Sequence, residues 1–155
     1  VWIASLQDLN YKKQRIDLVK SIKESILEFE NEINLKQIKI TTSFEKKSIY
    51  KKLNKDHLDI CVKNILSNAI KYSQQKWKIE ITLTKDLLII KDYWIWIDTK
   101  NLKNIFKRYF RENYLENEGF WIGLNLVKKV CDINKWEIKI DSQKNKYSSF
   151  SIKFE

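Results

Sequence analysis

Asn64, Asn68, Lys71 and Tyr72 recur at intervals of four, three and one, and therefore share one face of a helix. Two amide oxygens one turn apart can approach a hard cation, a lysine offers a point charge to phosphate, and a tyrosine ring can lie against a base. An ordinary solvated helix face would use the same residue types, so this constellation alone leaves both readings open. A second feature is the stretch "KDYWIWIDTKNL", residues 91–102, in which an apolar run, Leu87 to Lys91, delivers Asp92 into a turn. Bulky Trp94 and Trp96 stand where a backbone bending tightly around a ligand would use its smallest residue.

The elements that must position these residues follow from periodicity. Asp17 is a plausible N-cap for a helix with apolar residues at Leu18, Ile22, Ile26, Phe29 and Ile33. "KQIKITTSFE" and "KSIYKKL" alternate as strands, and Asp56 opens a long helix to about Tyr72. On that helix Leu58, Val62, Ile65 and Ala69 form a separate apolar stripe. Strands "KIEITL" and "LLIIKD" meet at a tight turn around Lys85 and Asp86. A short helix near Asp98, a polar irregular stretch from Lys107 to Phe120, a helix from Ile122 to about Asn134, and strands "EIKID" and "SSFSIKF" complete the chain. This order predicts a two-layer α/β sandwich with a mixed, mostly antiparallel sheet covered on one face by helices.

The 155 residues carry 43% apolar and 13% aromatic side chains, enough for one domain with a real core. No apolar run approaches the ~18–20 residues of a membrane span. Cys61 and Cys131 fall in apolar helical patterns and read as reduced core thiols. The net charge of +10 comes mostly from lysines spread through every segment, which is not the focused patch of a nucleic-acid binder. His57, the single histidine, reads as a surface residue near a helix start.

The ordered segments "NILSNAIKYS", "DYWIW", "IFKRYFR" and "GFWIGLNLVKKV" resemble the N, G1, F and G2 boxes of the ATP-binding catalytic domain of sensor histidine kinases, within the gyrase, Hsp90, kinase and MutL fold superfamily. The resemblance covers about residues 14–155, with residues 1–13 ending a preceding dimerisation helix. It implies that Asn64 and Asn68 hold Mg²⁺ and orient phosphates, that Lys71 meets a phosphate, and that Tyr72 lies near the adenine. It implies that Asp92 accepts the adenine amino proton, with Trp94, Trp96 and Ile97 beside it. Arg108 and Arg111, after Phe106, would reach the terminal phosphate, and the loop holding Gly119, Trp121 and Gly123 would form the glycine-rich end of an ATP lid. That loop would lead into a helix beginning near Leu124. Water-activating superfamily members carry a glutamate where this chain has Asn64, and an amide cannot take a proton, which favours the kinase branch. Implied partners are ATP, a phosphoacceptor histidine domain of the same homodimeric protein, and a response regulator receiver domain. Nucleic acid is not expected. The implied location is the cytoplasm, as part of a membrane-anchored receptor.

The chain departs from the resemblance in one consistent way. It has two Gly, no Pro and six Trp, and Trp77, Trp94, Trp96, Trp121 and Trp136 stand where the family prefers Gly. A gene that uses UGA for glycine, translated with a table that reads UGA as tryptophan, would explain both biases together. A degenerate pseudokinase is the alternative. A serine kinase of the anti-sigma type and a basic, non-catalytic nucleic-acid-binding module are readings from other classes.

Overall fold

The computed structural model describes residues 12–73, 76–92, 118–143 and 147–155. Strand β1 (Gln14–Asp17) leads into α1 (Leu18–Glu28) and α2 (Glu30–Lys36), followed by β2 (Lys39–Phe44), β3 (Tyr50–Leu53) and the long α3 (Lys55–Tyr72). Then come β4 (Lys78–Leu83), β5 (Leu87–Asp92), α4 (Glu118–Asn134), β6 (Glu137–Gln143) and β7 (Tyr147–Lys153). The main sheet has the order β2-β4-β5-β7-β6, with β2 and β4 parallel and all other neighbours antiparallel. This is the mixed, mostly antiparallel sheet that the pattern predicted. A separate ribbon pairs β1 with β3.

Cross-strand register puts apolar residues in rows across the inner face. One row runs Leu83, Leu88, Ile152, Ile138, and the next runs Ile81, Ile90, Phe150, Ile140. The apolar stripe of α3 closes over the sheet, with Leu58, Val62, Ile65 and Ala69 all buried in one core with Leu124, Val127 and Val130 of α4. Thr84 N donates to Leu87 O at 2.9 Å, and the Thr84 hydroxyl accepts from Leu87 N, so the expected tight turn at Lys85 and Asp86 forms. No helix among the described residues is long and apolar enough to cross a membrane.

Several boundaries differ from the sequence reading, each for a local reason. Asp17 does cap α1, its Oδ1 accepting from Val19 N at 3.1 Å, and Gln14 to Asp17 pair as a strand just before it; the helix expected to end over residues 1–13 lies almost wholly outside the described residues. The single helix expected to run on past Phe29 breaks there, at φ −103° and ψ 13°, into α1 and α2. Asn54, not Asp56, caps α3, because its Oδ1 reaches His57 N at 3.0 Å, three residues on. The last helix begins at Glu118, so "GFWIGL" is helical instead of a glycine-rich loop. Phe, Trp and Ile carry smaller helix penalties than the glycines such a loop would use, and nothing in the stretch stops the turn. His57 is fully buried rather than on the surface, and Cys61 and Cys131 are free, buried thiols as read.

Candidate functional site

The inner face of the sheet changes character at one end. After the two apolar rows, the next row is Asp92, Ser148 and Ser142, all buried. Strand alternation forces this placement: Leu88, Ile90 and Asp92 point the same way, and the third of them is a carboxylate. Asp92 is 1% exposed, and its Oδ1 has no hydrogen-bond partner among the described residues. Burial raises its pKa well above the ordinary 3.8. A carboxylate held dry and unpartnered costs stability, which is a usual mark of a group kept for a ligand. Ser148 and Ser142 face each other across β7 and β6, with their hydroxyls 3.3 Å apart. Sequence reasoning passed over Ser148, although its signal was present: it shares the inward phase of Phe150 and Ile152 in β7.

Helix α3, which packs against β5, carries the amide residues. Asn68 is buried, 8% exposed, and its Nδ2 has no partner among the described residues. A solvated helix face does not leave a carboxamide in that state. Asn64 is half-buried: its Nδ2 donates to Ile60 O at 2.6 Å, and its Oδ1 lies so close to Gly123 of α4 that a Cβ there would come within 2.8 Å of it. A side chain at 123 would have to push the Asn64 carboxamide aside, so Gly123 lets α3 and α4 approach closely here. Lys71 is exposed, on the last turn of α3. Leu124 is 0% exposed, with its side chain packed in the core. Only the backbone of Tyr72, Gly119 and Trp121 is described, as the end of α3 and the start of α4. Trp94, Trp96, Ile97, Phe106, Arg108 and Arg111 lie outside the described residues.

Two further polar contacts hold the helices that carry the site. Asn134 Nδ2 stands 2.9 Å from His57 Nδ1 and 2.8 Å from Val130 O, tying the start of α3 to the end of α4. An amide N–H can only donate, so the ring accepts at Nδ1 as the neutral tautomer. Burial lowers the His57 pKa from its ordinary 6.5, partly offset by the charge of Asp56, and a bond accepted at Nδ1 also favours the neutral ring. At the other end of α3, Ser73 is buried and its Oγ has no partner among the described residues, while its N–H donates to Ala69 O at 3.0 Å.

The arrangement is a buried acceptor at the end of a sheet and a carboxamide on the helix above it, with a lysine on the same helix's last turn. Residues 53–155 match the family described as histidine kinase-, DNA gyrase B-, and HSP90-like ATPase. Sensor protein RprX of Bacteroides fragilis (strain YCH46) is 26% identical over 155 aligned residues, covering 94% of this chain and 30% of that protein. The chain therefore spans under a third of the length of such relatives. The nucleotide-free catalytic domain of histidine kinase ThkA superposes with a TM-score of 0.80 at 18% identity, covering 92% of this chain and 94% of that one. Full-length ShkA in complex with AMPPNP superposes at 0.85 with 12% identity, covering 98% of this chain and 33% of that one. With residues 53–155 matched, from the end of β3 through β7, the chain belongs to the histidine kinase-, DNA gyrase B- and HSP90-like ATPase family.

Proposed function

We propose that this chain is the ATP-binding catalytic domain of a sensor histidine kinase, and that it passes the γ-phosphoryl group of ATP to a histidine on a helical hairpin outside these residues. The carrying observation is the Oδ1 of buried Asp92, without a partner among the described residues, beside two buried serines at the end of a sheet face whose other rows are apolar. Such an oxygen suits the exocyclic amine of adenine, a donor of matching kind. Bound ATP supplies the transferable phosphoryl group, and Mg²⁺ the charge that offsets its phosphates. The residues present fit the phosphates more directly than the metal: Asn68 has an N–H without a partner among the described residues to donate to a phosphate oxygen, Lys71 adds a cation on the same helix, and the Asn68 amide oxygen is the atom that would hold Mg²⁺. Of the two asparagines, Asn68 is the stronger metal candidate, since Asn64 Oδ1 already abuts Gly123.

His57 is not the acceptor, because a buried, neutral imidazole accepting from Asn134 is closed to a phosphoryl donor. The acceptor histidine belongs to another part of the full-length dimer, and a receiver domain takes the phosphoryl group onward. The sensor kinase names of the relatives support this branch over a serine kinase or a nucleic-acid binder. The domain acts in the cytoplasm, with membrane attachment through other segments. We further propose that the gene encodes glycine at 94, 96 and 121, where indoles would crowd the nucleotide. Isothermal titration of Mg-ATP into the Trp94→Gly, Trp96→Gly, Trp121→Gly protein, with and without Asn68→Ala, tests the site: Asn68→Ala weakens affinity at least tenfold with the far-UV spectrum unchanged, and affinity within twofold refutes the assignment.

A further inference from the structure

The C-terminal turn of α3 ends beside the proposed nucleotide site, and its carbonyls are capped from a distant part of the chain. The last four carbonyls of a helix have no partner within it. Ala69 O is taken by Ser73 N. Ile70 O and Lys71 O both accept from Lys36 Nζ at 2.7 Å, and Ser73 O accepts from the same ammonium at 3.2 Å. One lysine thus spends its three N–H donors on three backbone oxygens 34 to 37 residues away, and its charge also opposes the negative end of the helix dipole.

The placement of Lys36 is itself fixed. It is the last residue of α2, followed by Gln37 in the left-handed region at φ 54°. Gln37 N donates to Asn34 O at 3.1 Å and Ile38 N to Ile33 O at 3.0 Å, which closes the helix end. The Lys36 carbonyl then accepts from Lys76 N at 2.9 Å, and Lys39 N donates to Trp77 O at 2.9 Å, where the parallel pairing of β2 and β4 starts. Side chain and backbone of one residue therefore grip the segment on both sides of the exit from α3.

From these contacts we infer that Lys36 is a positioning residue for the nucleotide site: its ammonium holds the last turn of α3 at the geometry from which Lys71 meets the ligand. The inference rests on the nucleotide-site reading given above. Without the ammonium, three carbonyls lose their donor and the turn at the end of α3 is free to fray, and nucleotide binding must then reorder it. Ordering one residue's backbone costs about as much as a tenfold change in Kd.

The test uses the Trp94→Gly, Trp96→Gly, Trp121→Gly protein and a fluorescent ATP analogue, with Lys36→Met, Lys36→Arg and Asp92→Asn each added singly. At a temperature well below every melting point, Lys36→Met weakens binding about tenfold, or about 1.4 kcal/mol. The Ser73 and Lys76 amides exchange faster in that variant, and Lys36→Arg, which keeps charge and donors, recovers most of the affinity. If Lys36→Met fails to fold, Lys36→Gln, uncharged and with two N–H donors on a shorter stem, carries the comparison. A lowered melting temperature with unchanged affinity overturns the inference and leaves Lys36 a structural cap only. If Asp92→Asn weakens binding and Lys36→Met does not, the inference alone fails. If no variant changes affinity, or the parent binds no nucleotide, the nucleotide-site reading fails and takes the inference with it.

Discussion

Asp92→Asn separates stability from binding, because the structure gives the two effects opposite signs. The carboxyl is 1% exposed, one oxygen lacks a partner among the described residues, and burial raises its pKa well above 3.8. A group whose folded pKa is raised holds its proton more tightly in the folded state, so the parent loses stability as pH rises from about 4 through the folded pKa. The neutral, nearly isosteric amide is free of that loss. A buried charge without a partner costs on the order of 1–3 kcal/mol or more, and the amide's own buried N–H takes back part of the gain. The net expectation is about 1–2 kcal/mol of stabilisation at pH 7.5, where a domain of this size moves about 2–4 °C per kcal/mol, and little at pH 4. Binding moves the other way. A hydrogen bond to a charged acceptor exceeds a neutral one by about 1–2 kcal/mol, so the Kd of an adenine nucleotide rises about 5- to 30-fold. Thermal melts at both pH values and titration with a fluorescent ATP analogue give the two numbers. Unchanged affinity, or a variant less stable at pH 7.5, would show that Asp92 has a partner inside the protein and is not kept for a ligand.

Three other outcomes are expected. His57 has a folded pKa below 6.5, so its contribution to stability is complete above that value and is lost as pH falls through the folded pKa; His57→Gln therefore flattens the decline in melting temperature between pH 7 and 5, and a parallel decline in both proteins would count against the buried neutral ring. Replacing Trp94, Trp96 and Trp121 together by Gly brings ATP affinity into the micromolar range or nearby, about 7–8 kcal/mol of binding free energy, and equal affinities before and after would mean that the indoles are native parts of the site. Trp136 is 6% exposed and meets Phe154 edge-on at 5.2 Å, so Trp136→Gly lowers the urea-unfolding free energy by about 3–5 kcal/mol, and a loss below about 1 kcal/mol would show that the core does not depend on the indole.

Much of the scaffold was legible because period and burial agree. The stripe from Leu58 to Ala69 and the alternation of β4 and β5 each have one solution, and both appear as read. Asn68 was legible from its spacing with Asn64, Lys71 and Tyr72 on one helix face, and Asp92 from its place at the end of an apolar strand. What the sequence could not carry was long-range polar pairing. Nothing local in "INLKQI" marks Lys36 as the cap of a helix that ends 36 residues later, and nothing around His57 names Asn134 as its partner. The start of α4 was misplaced for a different reason: the motif led to a loop, whereas residues with a Cβ throughout most of "GFWIGL" favour continuing the helix.

The tryptophans divide by what the backbone asks of them. Gly is needed where φ is positive, yet at the two described sites the left-handed residue is the one before the indole: Lys76, at 64°, precedes Trp77, and Lys135, at 58°, precedes Trp136. Lys135 N donates to Asp132 O at 3.3 Å and Trp136 N to Cys131 O at 2.8 Å, an ordinary helix closure in which the second position accepts any side chain and often packs it inward. Backbone strain therefore gives no reason for glycine at 77 or 136, and the indole at 136 has a place in the core. The case for glycine at 94, 96 and 121 rests instead on room for a nucleotide. A reassigned codon makes no such distinction, because every UGA is read alike. The mass of a native peptide holding residue 136 thus bears on the binding loop as well: tryptophan encoded there by UGA leaves the loop with its indoles, and glycine there requires the core beside Phe154 to close by other means.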